Sequence, residues 1–491
     1  MATRYYIGSG SDWNTDSNWS TTSGGAGGAS FPTSADDAIF DSNSGSCTLD
    51  ANAACLSLKI GQSGSAYAST LSLSTFALSI GSGGFDCTYG GSATVNAGSS
   101  TITCAGNFDN QDVGTYTYGT SLLVMTGNGT TITSQFNKDI YSVQISNNAS
   151  VSLAGSNRLE CLGDITIDSG STLTASTVAL WSSGSGTVTI NGTLTGTSTL
   201  NGTFGTTIAL GATGTISINA VTILSNTVTN AGGTWATTTV TSDQDLTIGA
   251  GTYGGTWLIR VAGAYTRSVT VNGALTFTGG FTLQCTNAGG VITFNNSGNY
   301  SHVFQGNFTI DQTAGTLTWT KGTGTITFSG SNNQTITTPS GWTDRLEDIV
   351  INKTAGNVTL AGNVYTDSFT GTSTGTGKFD PNGKEVDTSG NCSWASSFAF
   401  VTDSDAMNGC TWDIGGNFTA DGQTLNATAA WYLEVTGTAV ASGSGAVAYS
   451  DASGFTEITA TSWTDNGNNS NWDFGAAAAT SSNLMLLGVG S

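Results

Sequence analysis

Of the 491 residues, 69 are glycine, 3 are proline and 9% are charged, and 32 acidic against 11 basic residues leave a formal charge of −21. So acidic a chain, without a basic patch carrying interleaved aromatics, is not built to hold nucleic acid; its surface instead keeps a Gly/Thr-rich β protein soluble and discourages edge-to-edge association. Low charge does not mean disorder here, because 37% of the residues are hydrophobic and they fall at strand spacing.

Residues 1–45 stand apart from the rest of the chain. They hold Tyr5, Tyr6, Trp13 and Trp19 and the acidic run Asp36, Asp37 and Asp41. Large aromatics beside a chain end predict an N-terminal cap, since the open end of a stack of strands exposes unpaired edges and bare apolar side chains. The carboxylates read equally as loop residues or Ca²⁺ ligands, although no EF-hand spacing occurs. The opening MATRYYIGSGSDW lacks the apolar core of a secretory signal, and no run approaches the roughly 20 apolar residues of a membrane span. No membrane insertion is expected, and a protein of this kind working outside a cell would leave by lysis, by a dedicated secretion system or within a virion.

From 46 to 430, short bursts of alternating apolar side chains succeed one another. Examples are Leu56, Leu58 and Ile60, then Ile165 and Ile167, Val188 and Ile190, Ile216 and Ile218, and Phe308 and Ile310. Side chains two apart share one face of a pleated strand, and the intervening Gly and Asn supply turns. Two or three such strands make a coil of roughly 20–27 residues, a stacked-repeat length. Sandwiches and barrels show similar strand spacing, but the long run without helical periodicity and the internal repeats favour a solenoid. The expected fold class is all-β: a right-handed parallel β-solenoid (β-helix) with internal repeats and β-rich end caps.

The clearest repeat spans about 122–168 and 325–370. Met125–Gly127 matches Phe328–Gly330, Thr131–Thr133 matches Thr335–Thr337, Ile140–Ile145 matches Leu346–Ile351, and Ser150–Gly155 matches Asn357–Gly362. The copies share alternation and turns but not charge. The second carries Asp344, Arg345, Glu347 and Asp348 where the first reads NKDIYS and keeps only Asp139. Asp344 and Asp348 bordering a groove, with Arg345 on an acidic sugar, would suit glycoside cleavage. Because the charge is not repeated, a solvated strand entry is the simpler reading, and the segment is taken as scaffold.

Other candidate chemistry is sparse. The single histidine, His302, lacks an accompanying nucleophile turn, and Asp403 and Asp405 read as loop carboxylates or Ca²⁺ ligands. One His and no CxxC speak against zinc, and no nucleotide-binding fingerprint occurs. No catalytic residue, cofactor or metal is therefore assigned. Cys87 and Cys104, like Cys392 and Cys410, lie about one coil apart, so each pair is expected at equivalent positions of neighbouring rungs, as buried thiols or as disulfides; Cys47 with Cys55 is another candidate bridge. Trp181, Trp235, Trp257, Trp319 and Trp342 are candidates for stacking on sugar rings, because 12 tryptophans in so polar a chain leave some for the surface or an interface.

Residues 431–475 change character again, with Trp431, Tyr432, Tyr449, Phe455, Trp463 and Trp472. Ser-Asn-Trp recurs at Ser17–Trp19 and Ser470–Trp472, matched chemistry that predicts a C-terminal β cap. Residues 476–491 are a small-residue linker followed by Leu484, Met485, Leu486, Leu487 and Val489, an apolar tail expected to dock on a neighbour.

The opening MATRYYIGSGSDW…SNWSTTSGGAGGASFPTSADDAIFD, the unit GTITFSG…QTIT…LEDIVINKTAGNVTLAG and the ending YSDASGFTEITATSWTDNGNNSNWDF together resemble Gly/Thr-rich β-solenoid structural proteins, fibre- or spike-like, of tailed bacteriophages and related environmental sequences. The resemblance covers most of the chain, and its motifs are architectural. It implies a non-enzymatic component of a virion appendage, such as a tail fibre, spike or surface decoration, located in the virion or at an extracellular surface and contacting host surface polysaccharide. The implied partners are other virion or fibre proteins and the chain itself, with a homotrimer as first expectation by fold analogy. Two alternatives stand beside it: a polysaccharide-cleaving tailspike on the same scaffold, and a surface adhesin or subunit of a self-assembling filament.

Overall fold

The computed structural model describes residues 1–8, 11–155, 158–202, 206–223, 227–237 and 239–475. The chain forms two compact units, residues 1–298 with 312–318 and residues 299–311 with 319–491. Both are parallel β-solenoids, and among the described residues the only helical element is the single turn Asp16–Asn18.

In the first unit one coil consists of three short strands, for example Thr187–Ile190, Thr193–Thr195 and Thr199–Gly202. Each pairs in parallel with its counterparts in the coils before and after, giving three stacks. Val143, Ile165, Val188, Ile208, Val228 and Ile248 thereby form one buried column, and a coil takes 20–23 residues. The apolar member of each alternating pair faces in, where full burial of a Val, Ile or Leu contributes about 1.5–3 kcal/mol. Threonines such as Thr172, Thr193 and Thr215 stack on the outside, β-branched side chains that suit a half-buried pleated surface.

The first rung is closed by aromatics. Thr3–Tyr6 lies parallel on Asp37–Phe40 and is edged by the antiparallel strand Trp19–Ser20. Trp13 and Trp19 are fully buried, their rings 5.0 Å apart, and the Trp19 indole N–H donates to the Trp13 carbonyl at 2.6 Å. Asp36, Asp37 and Asp41 tie the turns together. Asp36 accepts from Thr33 Oγ1 at 2.7 Å, Asp37 from Ser57 Oγ at 2.5 Å and Asp41 from Ser23 Oγ at 2.6 Å.

In the second unit Ile326, Ile349, Phe369, Cys392, Phe418 and Ala439 form one column, and Val364, Val386, Trp412 and Leu433 another. The parallel register continues past residue 430, with Trp431–Val435 on Thr411–Ile414 and Trp472–Asp473 on Ile458–Thr459. Residues 431–475 thus extend the coils and do not switch topology. Trp463 and Trp472 lie buried in these last coils with rings 5.9 Å apart, their indoles donating to the Ser442 carbonyl at 2.8 Å and to Ser450 Oγ at 3.1 Å. The tail residues Leu484, Met485, Leu486, Leu487 and Val489 lie outside the described residues.

The duplicated segments occupy equivalent strands. Met125 pairs with Ile145 as Phe328 does with Ile351, and Ile132 with Leu153 as Ile336 does with Leu360. The shared Leu-Ala-Gly ending has a steric cause: a Cβ on Gly155, at φ 111°, would collide with the Ser134 carbonyl, and one on Gly362 with Thr338.

All eight cysteines are buried and unbridged. The expected stacking of Cys87 on Cys104 and of Cys392 on Cys410 does not occur. Cys104 lies between Ile80 and Met125, and Cys392 between Phe369 and Phe418. Spacings of 17 and 18 residues fall short of the coil, which here runs from Ile80 to Cys104 and from Phe369 to Cys392. Burial pushes the Cys104 thiol up to about 11 and that of Cys410 to about 12, so both stay protonated.

Candidate functional site

The charged segment of the second copy lies in the loop 338–347, between the strands Gln334–Thr337 and Asp348–Lys353. Its side chains are joined to neighbouring coils. Glu347 is fully buried, accepting from the Trp319 indole N–H at 2.9 Å through Oε2 and from the Gly322 N–H at 3.1 Å through Oε1. Asp344 accepts from the Trp319 backbone N–H at 2.9 Å. Arg345 pairs with Asp387 at 2.8 Å and donates to the Thr366 carbonyl at 2.7 Å. Next to the loop, Lys353 is fully buried and donates to the carbonyls of Ser329 and Asn332 and to Gln334 Oε1 at 3.2, 2.6 and 2.6 Å. Burial without a carboxylate partner pulls its ammonium down to about 8. These charges bind one coil to the next.

Carboxylates that border open space lie further along the second unit. Asp380, Asp403 and Asp405 line a polar cavity of about 310 Å³ with Asn382, Gly383 and Asn408. Asp380 ends the strand Lys378–Asp380, and the turn after it places Asn382 at φ 48°, its N–H donating to Asp380 Oδ1 at 2.9 Å. Burial first, with the charges of Asp403 and Asp405 adding, holds the Asp380 carboxyl above its ordinary range. A protonatable carboxyl beside two others is the arrangement that separates an acid from a base. Among the described residues no group of three His, Cys, Asp or Glu side chains is placed to hold a metal ion. Asp403 and Asp405 stand out in the sequence as a pair, but Asp380 does not, because only the stacking of successive coils brings it beside them.

The tryptophan candidates separate sharply. Trp235, Trp257, Trp319 and Trp342 are between 0 and 6% exposed, so none offers a ring face to a sugar. Trp235 and Trp257 pack with Tyr253 at 5.5 and 5.2 Å, Trp319 lies against Phe308 at 5.7 Å, and these four are core residues. Trp181 alone of the five is half-buried on the outer surface. The exposed aromatics are Phe31, Tyr89, Phe136, Tyr265, Tyr432 and Phe455, of which the sequence singles out only Tyr432 and Phe455, as residues of the C-terminal cap. His302 is buried in the strand His302–Phe304 above Ile326, and burial pulls its imidazole down to about 4. Compared with protein-family models, with curated proteins and with solved structures, the chain matches none.

Proposed function

We propose that the protein is a non-enzymatic structural component of a phage appendage, a tail fibre, spike or surface decoration that self-associates and contacts host surface glycans. The observation that supports this reading is the use of charge in the second unit: Asp344, Arg345, Glu347 and Lys353 are engaged in coil-to-coil contacts, which suits a scaffold. Mass spectrometry of purified particles and immunogold labelling test it. The chain should be found in virions and scatter light as an oligomer, a trimer being expected first; a stable monomer absent from particles overturns the reading.

One observation favours a second reading, a polysaccharide-cleaving tailspike: the cavity where Asp380 is held above its ordinary range beside Asp403 and Asp405. Incubation with host capsule or lipopolysaccharide decides between them. Release of oligosaccharides that stops in Asp380→Asn supports the enzyme, and no release by the wild type supports the structural role.

A further inference from the structure

In the first copy of the duplicated unit, the loop 135–141 joins the strands Thr130–Ser134 and Ser142–Ile145 and carries Phe136 at 54% exposure. Its backbone is anchored at Gln135, Lys138 and Ile140. The Lys138 N–H donates to the Gln135 carbonyl at 3.0 Å around Asn137 at φ 67°. Ser134 Oγ and Asn110 Nδ2 both donate to the Lys138 carbonyl, at 2.9 and 3.1 Å, and Lys138 Nζ donates to the Gly114 carbonyl at 2.5 Å. The Ile140 N–H then donates to the Glu160 carbonyl at 3.0 Å. A well-anchored loop that holds a large ring out in water forgoes the gain of burying it, about 1.5–3 kcal/mol. Anchored loops and exposed apolar groups of this kind are where binding surfaces form.

Phe136 does not stand alone. The Arg158 guanidinium lies over its ring at 4.9 Å and over the Trp181 ring at 4.6 Å, and it is ion-paired with Glu160. Glu160 and Trp181 are register partners on adjacent strands, and Trp181 is in turn the partner of Asn201. With rungs about 4.8 Å apart, Phe136, Arg158 and Trp181 form one stack across neighbouring coils, the guanidinium covering one face of each ring. Glu160 and Asn201 lie beside it in register, and Asp139 lies in the Phe136 loop. Aromatic faces receive the C–H surface of a sugar ring, carboxylates accept its hydroxyls, and the amide both donates and accepts. The charge decides the class of ligand. Asp139 and Glu160 are balanced by Arg158, which is already paired, and by Lys138, whose ammonium donates to the Gly114 carbonyl. The surface is locally neutral on a chain that carries −21 overall, so an anionic ligand gains no net attraction.

We propose that the platform Phe136–Arg158–Trp181, edged by Asp139, Glu160 and Asn201, binds a neutral glycan laid across the coils. It deepens the glycan-contact part of the proposed function, on which it rests, and does not depend on a location in the virion. The test is electrophoresis of the full chain through native gels containing dextran, mannan, galactomannan or xyloglucan, with polygalacturonate as the anionic comparison. At least one neutral polysaccharide should retard the wild type, polygalacturonate should not, and Phe136→Ser and Trp181→Thr should each weaken retardation about tenfold. Threonine continues the outward rank that Thr222 and Thr241 already occupy, so Trp181→Thr keeps the fold, with an unchanged thermal midpoint as the check. The proposal is overturned by no retardation in any of the four neutral gels, by full retardation of both variants, or by retardation in polygalacturonate alone. It is also overturned if Phe136→Ser changes the oligomeric state on gel filtration, which would make the ring a contact between copies. Absence from virions, by contrast, would count against the appendage and leave this result standing.

Discussion

Between Ser134 and Ser142 the first copy of the duplicated unit holds Phe136 out in solvent, whereas between Thr337 and Asp348 the second copy turns Trp342 inward, to 6% exposure. The strands on either side of the two loops pair in the same register. What differs is the anchoring. The first loop is fixed mainly through its backbone, by bonds to the carbonyls of Lys138 and Gln135, and of its two aromatics Phe136 is left exposed. The longer second loop is fixed through side chains, Asp344, Arg345 and Glu347 reaching the adjoining coils. Duplication preserved the scaffold and let the loops diverge, one toward presentation and one toward reinforcement.

Substitutions can break or sharpen this contrast. The largest effect is expected for Trp342→Ala, which empties a buried indole site and should cost about 3–5 kcal/mol, read as a lower urea midpoint followed by fluorescence. Glu347→Ala leaves the Trp319 indole N–H and the Gly322 N–H without their buried acceptor, and about 2–4 kcal/mol of lost stability is expected in the same assay. A cost near zero there would mean that the charged loop is ornamental.

Lys353 gives a pH signature. Its folded-state value of about 8 lies below the roughly 10.4 of an unfolded lysine, so the folded chain gives up the proton first. Its contribution is complete above the unfolded value and is lost as pH falls through about 8. Buried thiols such as Cys104 shift the opposite way, so the informative quantity is a difference. The midpoint of wild type minus that of Lys353→Met should rise between pH 8 and pH 10, and a flat difference would remove Lys353 from the clamp. The smallest effect belongs to Phe136→Ser, expected within about 0.5 kcal/mol of wild type, because more than half of its surface is already in water and its one stacking contact, with Arg158, is itself at the surface. If Phe136→Ser and Trp342→Ala cost the same, the two loops do not differ in the way described.

Part of the site was legible and part was not. Trp181, Asp403 and Asp405 stand out by residue type, yet Phe136, Arg158 and Asp380 acquire meaning only from neighbours a coil away in sequence. The tryptophans misled for a related reason. Trp257 and Trp319 share the alternation of Ile259 and Leu317 in their strands, a period that already places them inside, whereas Trp342 lies in a loop whose local sequence does not say whether a large ring faces in; these three and Trp235 are all buried. The cysteines failed on length, since spacings slightly short of a coil place two thiols on different columns.

By itself the sequence determined the all-β class, the alternation that sets which strand residues are inside, the approximate length of a coil and the equivalence of the two copies. Each of these comes from a period of two within strands and from turn residues between them. Only the tertiary structure decided which loop aromatics are exposed, which charges clamp one coil to the next and which carboxylates share a cavity. A loop side chain takes its direction from partners 20 or more residues away, on the next turn of the solenoid, and that proximity is created by stacking.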